Sequence, residues 1–570
     1  MSERESDRRA AEESTPREIV AEAAPARTEA RRARRFAVAF AVGVVLVLVL
    51  RFAALGRIPP GVYVDEASYG YNAFSVAQTG HDEHGVRFPV FFAAFGEYKS
   101  PVFIYALAAL VKLFGLSIVT ARLCAALFVV GAAVFTALVV AELTERPGAA
   151  LPTLLLVLVL PWTFTLGRFA TESVSYLFLI ALAWWTWLRA VRTGSAAWFA
   201  VSWTAWGLSL FSYGTARMLT PLLVLALIAA YAPLVRRQLL RCAVAAVPGL
   251  GLALVYAAWA VAHPGALTAR FEEISIFRDG PSLAEAGVRL AENYLRGFSL
   301  GFLFLRGDPN LRHHTGVGGE LYLFLLPALI VGLVVAVRKR RDPAFRFALT
   351  GVALFPAAAA LTHSGPNAIR TVNAVPFVVA LAAIGLHEIF VRWRRQRAVL
   401  ASLLVLAGCE IFGYLGDYFV GYPGRVAPWF NAGLPRAVEA ALKSRGPRGD
   451  EPLLYAPTVF RDEGAWVNQP YIAFLFCGHL APQRYWTRGL AGFGIYCWSG
   501  GATPPNSILL VKSAETLYTL SGLPVSIPNR EPIPPGSRLV REFRDGSRPG
   551  PGAPVYQIYR TPPAPQSPHG

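Results

Sequence analysis

The chain has 570 residues, of which 54% are hydrophobic and only 16% are charged. Soluble domains usually carry about 25% charged residues, so this chain has too few polar groups to cover a soluble protein of its size. The net charge of +18 comes from basic residues that stand in short clusters between apolar runs. This arrangement argues against a nucleic-acid-binding surface and favours orientation in a membrane.

The amino-terminal residues 1–35 contain similar numbers of acids and bases and run directly into an apolar stretch. They predict a disordered cytoplasmic tail followed by a retained first span. Apolar stretches of about 20 residues cross a bilayer as helices, because lipid offers the backbone no hydrogen-bond partner. Residues 36–416 contain about eleven such stretches. The predicted spans begin near Phe36, Ile118, Ala149, Ser173, Trp198, Leu219, Cys242, Leu321, Phe347, Val372 and Ala398.

The basic clusters predict the orientation of these spans, since cytoplasmic loops carry an excess of Lys and Arg. The clusters at residues 31–35, 236–237 and 338–341 fall on the same side of the predicted topology. The amino terminus is therefore placed in the cytoplasm of a multi-pass protein of the cytoplasmic (inner) membrane. Residues 56–117 and 263–319 become outer loops.

From residue 417 onward the composition changes to Pro, Gly, Arg and aromatic residues with short apolar runs, such as residues 507–511. This pattern predicts a small extracytoplasmic α/β domain over residues 417–570, with a Pro-rich tail. Cys477 and Cys497 would then lie in an oxidising compartment, where a disulfide between them is plausible.

Two adjacent acids follow the first span, in the segment PPGVYVDEASYGYNAF. Asp65 and Glu66 open a stretch of helical periodicity close to the predicted membrane surface. One interpretation is that Asp65 caps the helix, which contributes about 1 kcal/mol of stability. The other is that a carboxylate at the hydrocarbon boundary has a raised pKa and accepts a proton from an acceptor hydroxyl. The spacing leaves both open.

A second pair of charges, Glu97 and Lys99, precedes Ser100 and an apolar segment at residues 101–114. That segment is too short to cross a bilayer, so it is predicted to lie at the interface, after an extended strand or turn. A Lys at this depth commonly extends its ammonium towards water. A lipid phosphate lies at the same depth, so Lys99 is also a candidate phosphate partner.

Two arginines stand at outer span ends, where the orientation rule does not require them. They are Arg217 in SYGTARMLTP and Arg370 in THSGPNAIRTVNAVP, and both are candidates for binding phosphate. Arg168 and Glu172 are four residues apart, so they either pair with each other on a helix or take part in a site.

The motif RGDPNLRHHTGVGGELY contains His313 and His314. Adjacent histidines do not easily serve one metal ion from a helix, and no third ligand is implied by spacing. A hydrogen-bonding or phosphate-binding role is therefore preferred over a metal role, with His313 as the phosphate-binding candidate, and no metal site is predicted. Glu97 and His314 remain the candidates should a divalent cation bind.

Several of these motifs together resemble the GT-C membrane glycosyltransferases, in particular the dolichyl-phosphate-mannose protein mannosyltransferase-like and aminoarabinose-transferase-like branches. They are the DE pair, the EYKSP element, the FG...ARL run from Phe114 to Leu123, and the FLFLRGD...H...G.LY loop. The resemblance covers about residues 36–420. It implies a mainly helical polytopic GT-C fold.

The resemblance also implies roles for individual residues. Asp65 would be the catalytic base with Glu66 as its partner, Glu97 and Lys99 would lie near the donor phosphate, and Glu172 would be the second acidic position. A Tyr between Glu97 and Lys99, and Glu instead of Asp at position 172, depart from the family pattern.

The predicted function is transfer of a sugar from a polyprenyl-phosphate donor to an acceptor hydroxyl at the outer membrane face. The expected partners are this donor, membrane lipid and an acceptor that is a protein, a lipid or a glycan. No cofactor is required, although a divalent cation is possible. The alternatives are a transporter or flippase for lipid-linked sugars, and a non-catalytic partner in polysaccharide assembly.

Overall fold

The computed structural model describes residues 41–393, 395–446, 449–456, 471–498, 503–512, 514–518, 524–528, 533–543 and 556–563. The predicted tail at residues 1–35 lies outside these ranges. The chain forms two compact units. The first ends at Ala53, and its described part contains the apolar helix Ala41–Phe52. The second begins at Ala54 and contains all the site residues discussed below.

The second unit is mainly α-helical, which confirms the predicted fold class. Its α-helices are Val64–Thr79, Pro101–Phe114, Ile118–Thr144, Ala150–Val159, Pro161–Leu166, Ser173–Thr193, Ala196–Ser209, Ala216–Ala230, Ala232–Arg237, Leu239–Ala262, Ala269–Ile274, Leu283–Gly297, Leu325–Arg338, Pro343–Leu354, Ala357–Ala360, Ala368–Thr371, Val375–Arg392, Arg397–Val420, Tyr422–Val426, Leu434–Lys443, Tyr471–Gly478 and Pro482–Arg488.

Six helical segments among the described residues are long and apolar enough to cross a bilayer. The other predicted spans fall on shorter helices, such as Ala196–Ser209 with 14 residues and Leu325–Arg338 with 14 residues. A membrane protein of several spans is therefore confirmed, while the number eleven and the orientation stay predictions. The six segments are Ile118–Thr144, Ser173–Thr193, Leu239–Ala262, Pro343–Ala360, Ala368–Arg392 and Arg397–Val420.

Small residues allow two of these helices to approach closely. Gly332 lies in helix Leu325–Arg338 and Gly385 in helix Val375–Arg392. A Cβ atom added at Gly385 would lie 1.8 Å from the carbonyl oxygen of Ala328. Because lipid provides little hydrophobic drive for helix association, such backbone contact is a main source of packing energy between spans.

The carboxyl-terminal region contains a mixed five-stranded sheet, as the predicted α/β domain requires. The described strands of the whole chain are β1 Phe92–Ala94, β2 Glu97–Lys99, β3 Leu453–Tyr455, β4 Ile495–Cys497, β5 Ile508–Lys512, β6 Ala514–Tyr518, β7 Pro524–Pro528, β8 Arg538–Phe543 and β9 Tyr556–Arg560. Strand β1 pairs with β2 and β6 pairs with β7, and the other five form the carboxyl-terminal sheet. The sheet has the order β4-β3-β5-β9-β8, with β3 parallel to β4 and to β5. Helix Leu434–Lys443 packs on it through buried residues such as Val438.

Cys477 and Cys497 are not joined by a disulfide, so the pairing considered from the sequence is not formed. Cys497 ends strand β4, whereas Cys477 lies near the end of helix Tyr471–Gly478. The domain boundaries at residues 35, 416 and 570 remain predictions.

Two parallel helices place the site. A β-hairpin of β1 and β2 ends at Lys99, and helix Pro101–Phe114 begins directly after it, with the limits predicted for the interfacial segment. Lys99 contacts Asp65 at the start of helix Val64–Thr79, and the rings of Tyr69 and Phe103 lie 5.5 Å apart one turn further on. Both helices therefore start at the site and run away from it side by side.

Candidate functional site

Lys99 lies at the centre of a cluster of acids. Its Nζ donates to Asp65 Oδ1 at 2.9 Å and also to a carboxylate oxygen of Glu97, the first residue of strand β2. The Lys99 side chain is only 6% exposed, whereas that of Asp65 is 28% exposed. The hairpin of β1 and β2 and the start of helix Val64–Thr79 bring these charges together. This arrangement is consistent with the prediction from the sequence that they form one site.

A third acid approaches from another helix. Glu172 directly precedes helix Ser173–Thr193, and its Oε2 accepts the backbone N–H of Ser100 at 2.7 Å. Burial raises the pKa of Glu172 to about 7, although Lys99 and the Ser100 hydrogen bond act against this rise. Glu172 therefore changes charge near neutral pH, whereas an ordinary Glu ionises near pH 4.

Lys99 stays positively charged in this environment. Burial alone would lower its pKa, but the negative charges of Asp65, Glu97 and Glu172 outweigh burial and raise the pKa above its ordinary value. The ammonium also lies 5.9 Å from the ring centroid of Tyr69. A permanent buried cation next to a partly exposed carboxylate is suited to a substrate with an anionic leaving group.

Asp65 does not cap its helix, which settles one alternative left open by the sequence. The cap position is Tyr63, and its backbone N–H donates to Glu66 Oε2 at 3.1 Å. Asp65 instead directs Oδ1 to Lys99, and no other hydrogen bond to its carboxylate is formed within the described residues. Its Oδ2 is thus open to accept a proton.

Glu66 is committed to a buried ion pair. Its two carboxylate oxygens accept from Arg122 Nε at 2.9 Å and from Nη2 at 3.0 Å, and both side chains are fully buried. Glu66 Oε1 also accepts the N–H of Ala170 at 2.9 Å. All these bonds fix the start of the helix, so the geometry gives Glu66 a positioning role rather than contact with a reacting atom.

Arg122 extends this network to the loop before the helix. Its Nη1 donates to the carbonyl oxygens of Leu55 and Pro59 at 2.9 and 2.6 Å, and Nη2 donates to that of Gly61 at 2.9 Å. One guanidinium therefore ties the loop, the helix start and Glu66 together. Asp65 is next to this fixed point, which limits where its carboxylate can lie.

Three arginines lie around the acids. Arg217 donates to the carbonyl of Leu267, and Arg370 Nη1 donates to the hydroxyls of Thr362 and Ser364 at 3.0 and 2.6 Å. Sequence reasoning did not single out Arg270, whose Nε lies 3.8 Å from Glu97 Oε2. Arg270 lies in the mixed-charge segment 263–319, and this composition was the only feature of the sequence that pointed to it.

Tyr213 is a further residue that the sequence did not reveal as part of the site. Burial raises its pKa, and the charges that act on it are those of Arg370, Glu172, Glu97 and Lys99. These groups come from three separate parts of the chain, and all of them act on the same hydroxyl. Tyr213 keeps its proton at neutral pH and can donate a hydrogen bond there.

Asp308, the last residue of the RGD motif, contacts His313 and fixes its position. Asp308 Oδ2 accepts the N–H of Ala368 at 2.8 Å and contacts His313 Nδ1 at 3.1 Å, while Oδ1 accepts the N–H of Asn310 at 2.8 Å. Burial alone would raise the pKa of Asp308, but these bonds outweigh it and hold the pKa below its usual value. Because Ala368 starts the short helix that carries Arg370, the Asp308 carboxylate positions two of the phosphate-binding candidates, His313 and Arg370.

We expect Asp308→Asn to raise the KM for the donor by about tenfold, with a smaller effect on kcat. The buried amide cannot serve His313 and the N–H of Ala368 as the carboxylate does, and losing a charged hydrogen bond costs about 1.5–3 kcal/mol. Steady-state kinetics on purified protein measures the split. Asp279→Asn, at an exposed position between helices Ala269–Ile274 and Leu283–Gly297, is the control and should leave both constants unchanged. A fall in kcat alone would contradict the role.

The metal candidates are not brought together. His314 is buried, its Nδ1 accepts the N–H of Gly316 at 3.0 Å, and its Nε2 lies 3.3 Å from the carbonyl oxygen of Gly319. Glu97 instead pairs with Lys99. Among the described residues no group of three or more His, Cys, Asp or Glu is arranged to hold a metal ion.

The carboxyl-terminal domain packs against the segment that follows the Asp65 helix. Tyr471 donates its hydroxyl to Glu83 Oε1 at 3.1 Å, and Trp486 Nε1 donates to the carbonyl oxygen of Asp82 at 2.9 Å. Burial raises the pKa of Glu83 to about 8. The rings of Tyr471 and Phe95 lie 6.2 Å apart, and Phe95 also faces Lys99. The domain thus borders the acid cluster.

Residues 98–261 match the family model described as dolichyl-phosphate-mannose-protein mannosyltransferase. This segment includes Lys99, Glu172 and Arg217. The match confirms the resemblance inferred from the sequence motifs and supports a glycosyltransferase activity. No curated protein sequence matches the chain.

Among solved structures, the chain is similar to apo ArnT from Cupriavidus metallidurans, with 15% identity, a TM-score of 0.49 and coverage of 92% of this chain and 98% of that chain. For ArnT from the same organism bound to undecaprenyl phosphate, the identity is 16% and the TM-score is 0.47, with coverage of 83% of this chain and 92% of that chain. The chain is also similar to the Archaeoglobus fulgidus oligosaccharyltransferase AglB in complex with an inhibitory peptide and a dolichol-phosphate. Here the identity is 12% and the TM-score is 0.47, with coverage of 87% of this chain and 75% of that chain. At such identities no residue role passes from these proteins to this chain.

Proposed function

We propose that this protein transfers a sugar from a polyprenyl-phosphate donor to an acceptor hydroxyl at the outer face of the cytoplasmic membrane. The observation that supports it most is the pairing of the partly exposed Asp65 with the buried Lys99 at 2.9 Å. A proton acceptor and a permanent cation therefore stand side by side. The family match to enzymes named for a dolichyl-phosphate-linked sugar fits this donor class.

The reaction is a single displacement with inversion. The acceptor oxygen attacks the anomeric carbon while Asp65 Oδ2 takes its proton, and the bond from that carbon to the phosphate oxygen breaks. The bonding electrons stay on the phosphate, which leaves as polyprenyl phosphate. Lys99, Arg217, Arg370 and His313 stabilise the charge that develops on it.

Glu172 and Tyr213 shape the electrostatics of this step. The carboxyl group of Glu172 is buried and accepts the N–H of Ser100, whereas the Asp65 side chain is partly exposed. In its ionised form it adds a negative charge beside Lys99 and weakens the attraction of that ammonium for phosphate. The Tyr213 hydroxyl, surrounded by the same charges, supplies a neutral hydrogen-bond donor to the sugar or phosphate.

The placement of the charges favours an enzyme over a transporter. Transport sites usually place ionisable residues near the middle of spans. Here Asp65 is in the first turn of its helix, Glu172 precedes helix Ser173–Thr193, and Arg217 is in the first turn of helix Ala216–Ala230. An intact proton acceptor also argues against a non-catalytic assembly partner.

The decisive experiment is an assay of purified protein in nanodiscs with a panel of polyprenyl-phosphate sugars and hydroxyl acceptors. We expect release of polyprenyl phosphate in equal amount to glycosylated product, with inverted anomeric configuration by NMR. Parallel reactions with a chelator test the possible divalent cation. Movement of intact donor across proteoliposomes without cleavage would overturn the proposal in favour of a flippase. No reaction with any donor would favour the assembly partner.

A further inference from the structure

A groove of about 550 Å³ lies at the far ends of the two parallel helices. It is lined by the last turn of helix Val64–Thr79, by the loop at residues 80–88 and by the second half of helix Pro101–Phe114. Val76 is eleven residues after Asp65, so the groove is roughly 16 Å along the helix from the catalytic candidates. It is therefore a separate site.

The loop at residues 80–88 has a defined conformation that places Arg87 at the groove. Gly80 ends the helix with a φ of 74°, and an isolated antiparallel bridge joins His81 to Arg87. Asp82 closes the turn, because its Oδ1 accepts the N–H groups of His84 and Val86 at 2.9 and 2.8 Å. Glu83, the acid nearest to Arg87 in the chain, is buried and accepts the Tyr471 hydroxyl at 3.1 Å, so neither acid of the loop pairs with Arg87.

The groove presents positive charge without a matching acid. Arg87 and Lys112 are both exposed, and neither forms an ion pair within the part of the chain that the structure describes. His81 adds a third nitrogen base, with Nδ1 at 2.7 Å from the carbonyl oxygen of Thr79. Two of these groups come from the loop and the third from helix Pro101–Phe114, and together they are complementary to a phosphate.

The same groove has an apolar part. Val76 and Ala108 are buried in its wall, and Phe88 is 59% exposed beside Arg87. Directly after Lys112, Leu113 and Phe114 expose 73% and 65% of their surface. Exposed aliphatic and aromatic side chains next to cations are typical of the depth where lipid head groups meet acyl chains.

We propose that this groove binds the head group of an acidic glycerophospholipid of the surrounding bilayer, with Arg87 and Lys112 on the phosphate and an acyl chain along Phe88. A free phosphate ion shares the charge but not the apolar contacts. The lipid holds the ends of the two helices whose starts form the sugar-transfer site. The proposal does not depend on that reaction.

Native mass spectrometry of the full chain, titrated with phosphatidylglycerol, tests the site. The double variant Arg87→Gln and Lys112→Gln should bind the tightest phosphatidylglycerol about 30-fold more weakly, since each basic residue near anionic lipid contributes about one kcal/mol. Ala109→Trp, which fills the groove but keeps both charges, should weaken it as well. The control, Arg278→Gln with Arg289→Gln, removes the same charge from another outer loop and should bind like the original protein.

Two results would overturn the proposal. The first is equal phosphatidylglycerol affinity in the original protein and in both groove variants. The second is inorganic phosphate displacing the bound lipid at concentrations that saturate the protein alone, which would leave an anion site without lipid contacts. Phosphatidylcholine, whose head group is neutral overall, should compete poorly. Because no sugar transfer is measured, failure here leaves the proposed reaction untouched.

Discussion

Replacing Asp65 by Asn is expected to lower sugar transfer by about 100- to 10,000-fold, the usual contribution of a positioned general base. An amide accepts a hydrogen bond but takes no proton at neutral pH, so the acceptor hydroxyl would attack without assistance. Donor affinity should change little, because Lys99, Arg217 and Arg370 remain. The rate is measured by single-turnover transfer, and donor binding is measured separately in the absence of acceptor.

Glu97→Gln is the matched control for this variant. Both substitutions remove one acid from the ammonium of Lys99. The second oxygen of Glu97 is paired with Arg270 at 3.8 Å, whereas that of Asp65 accepts no hydrogen bond within the described residues. We therefore expect a much smaller rate loss in Glu97→Gln. Full activity in a correctly inserted Asp65→Asn protein would rule out Asp65 as the base and direct attention to Glu172, whose pKa of about 7 suits proton transfer.

The second large effect is expected in stability rather than in rate. Arg122→Met should destabilise the fold by about 3–5 kcal/mol, because it leaves Glu66 charged and unpaired in a fully buried position. It also removes the donor for the carbonyl oxygens of Leu55, Pro59 and Gly61. Thermal unfolding in detergent, followed by tryptophan fluorescence, measures the change.

Arg189→Met provides the comparison. Arg189 also pairs with a glutamate, Glu142 at 3.1 Å, but its side chain is 34% exposed. Exposed pairs contribute about 0–1 kcal/mol, so this variant should unfold close to the original protein. If Arg122→Met unfolded at the same temperature as Arg189→Met, the buried network would not contribute the stability expected of it.

The sequence predicted features that depend on local pattern. Hydropathy and the flanking Pro101 delimited the interfacial helix as far as Phe114, and the extended segment at Glu97 and Lys99 is strand β2. Hydropathy overestimated helix length where the chain breaks, as at Pro161, where one apolar stretch becomes helices Ala150–Val159 and Pro161–Leu166. Apolar composition does not report the backbone break that a proline introduces.

Features that depend on distant pairs were not predictable. Glu66 and Arg122 are 56 positions apart, and Glu172 and Ser100 are 72 apart. A local sequence pattern does not show which buried charges pair with each other. Glu66 therefore resembled a second catalytic acid, although both of its carboxylate oxygens accept hydrogen bonds from Arg122 and the backbone. Arg270 and Tyr213 were missed for the same reason, since only the packing of separate loops brings them to the site.

The three acids around Lys99 bear on how a catalytic cycle would end. A lipid-linked sugar phosphate is a diester with one negative charge, whereas the released monoester carries about −1.5 to −2 near neutral pH. A purely cationic site would retain that product and suffer inhibition by it. In the proposed reaction, the negative charges of Asp65, Glu97 and Glu172 compete with the phosphate for the Lys99 ammonium, so they would promote departure of the spent carrier.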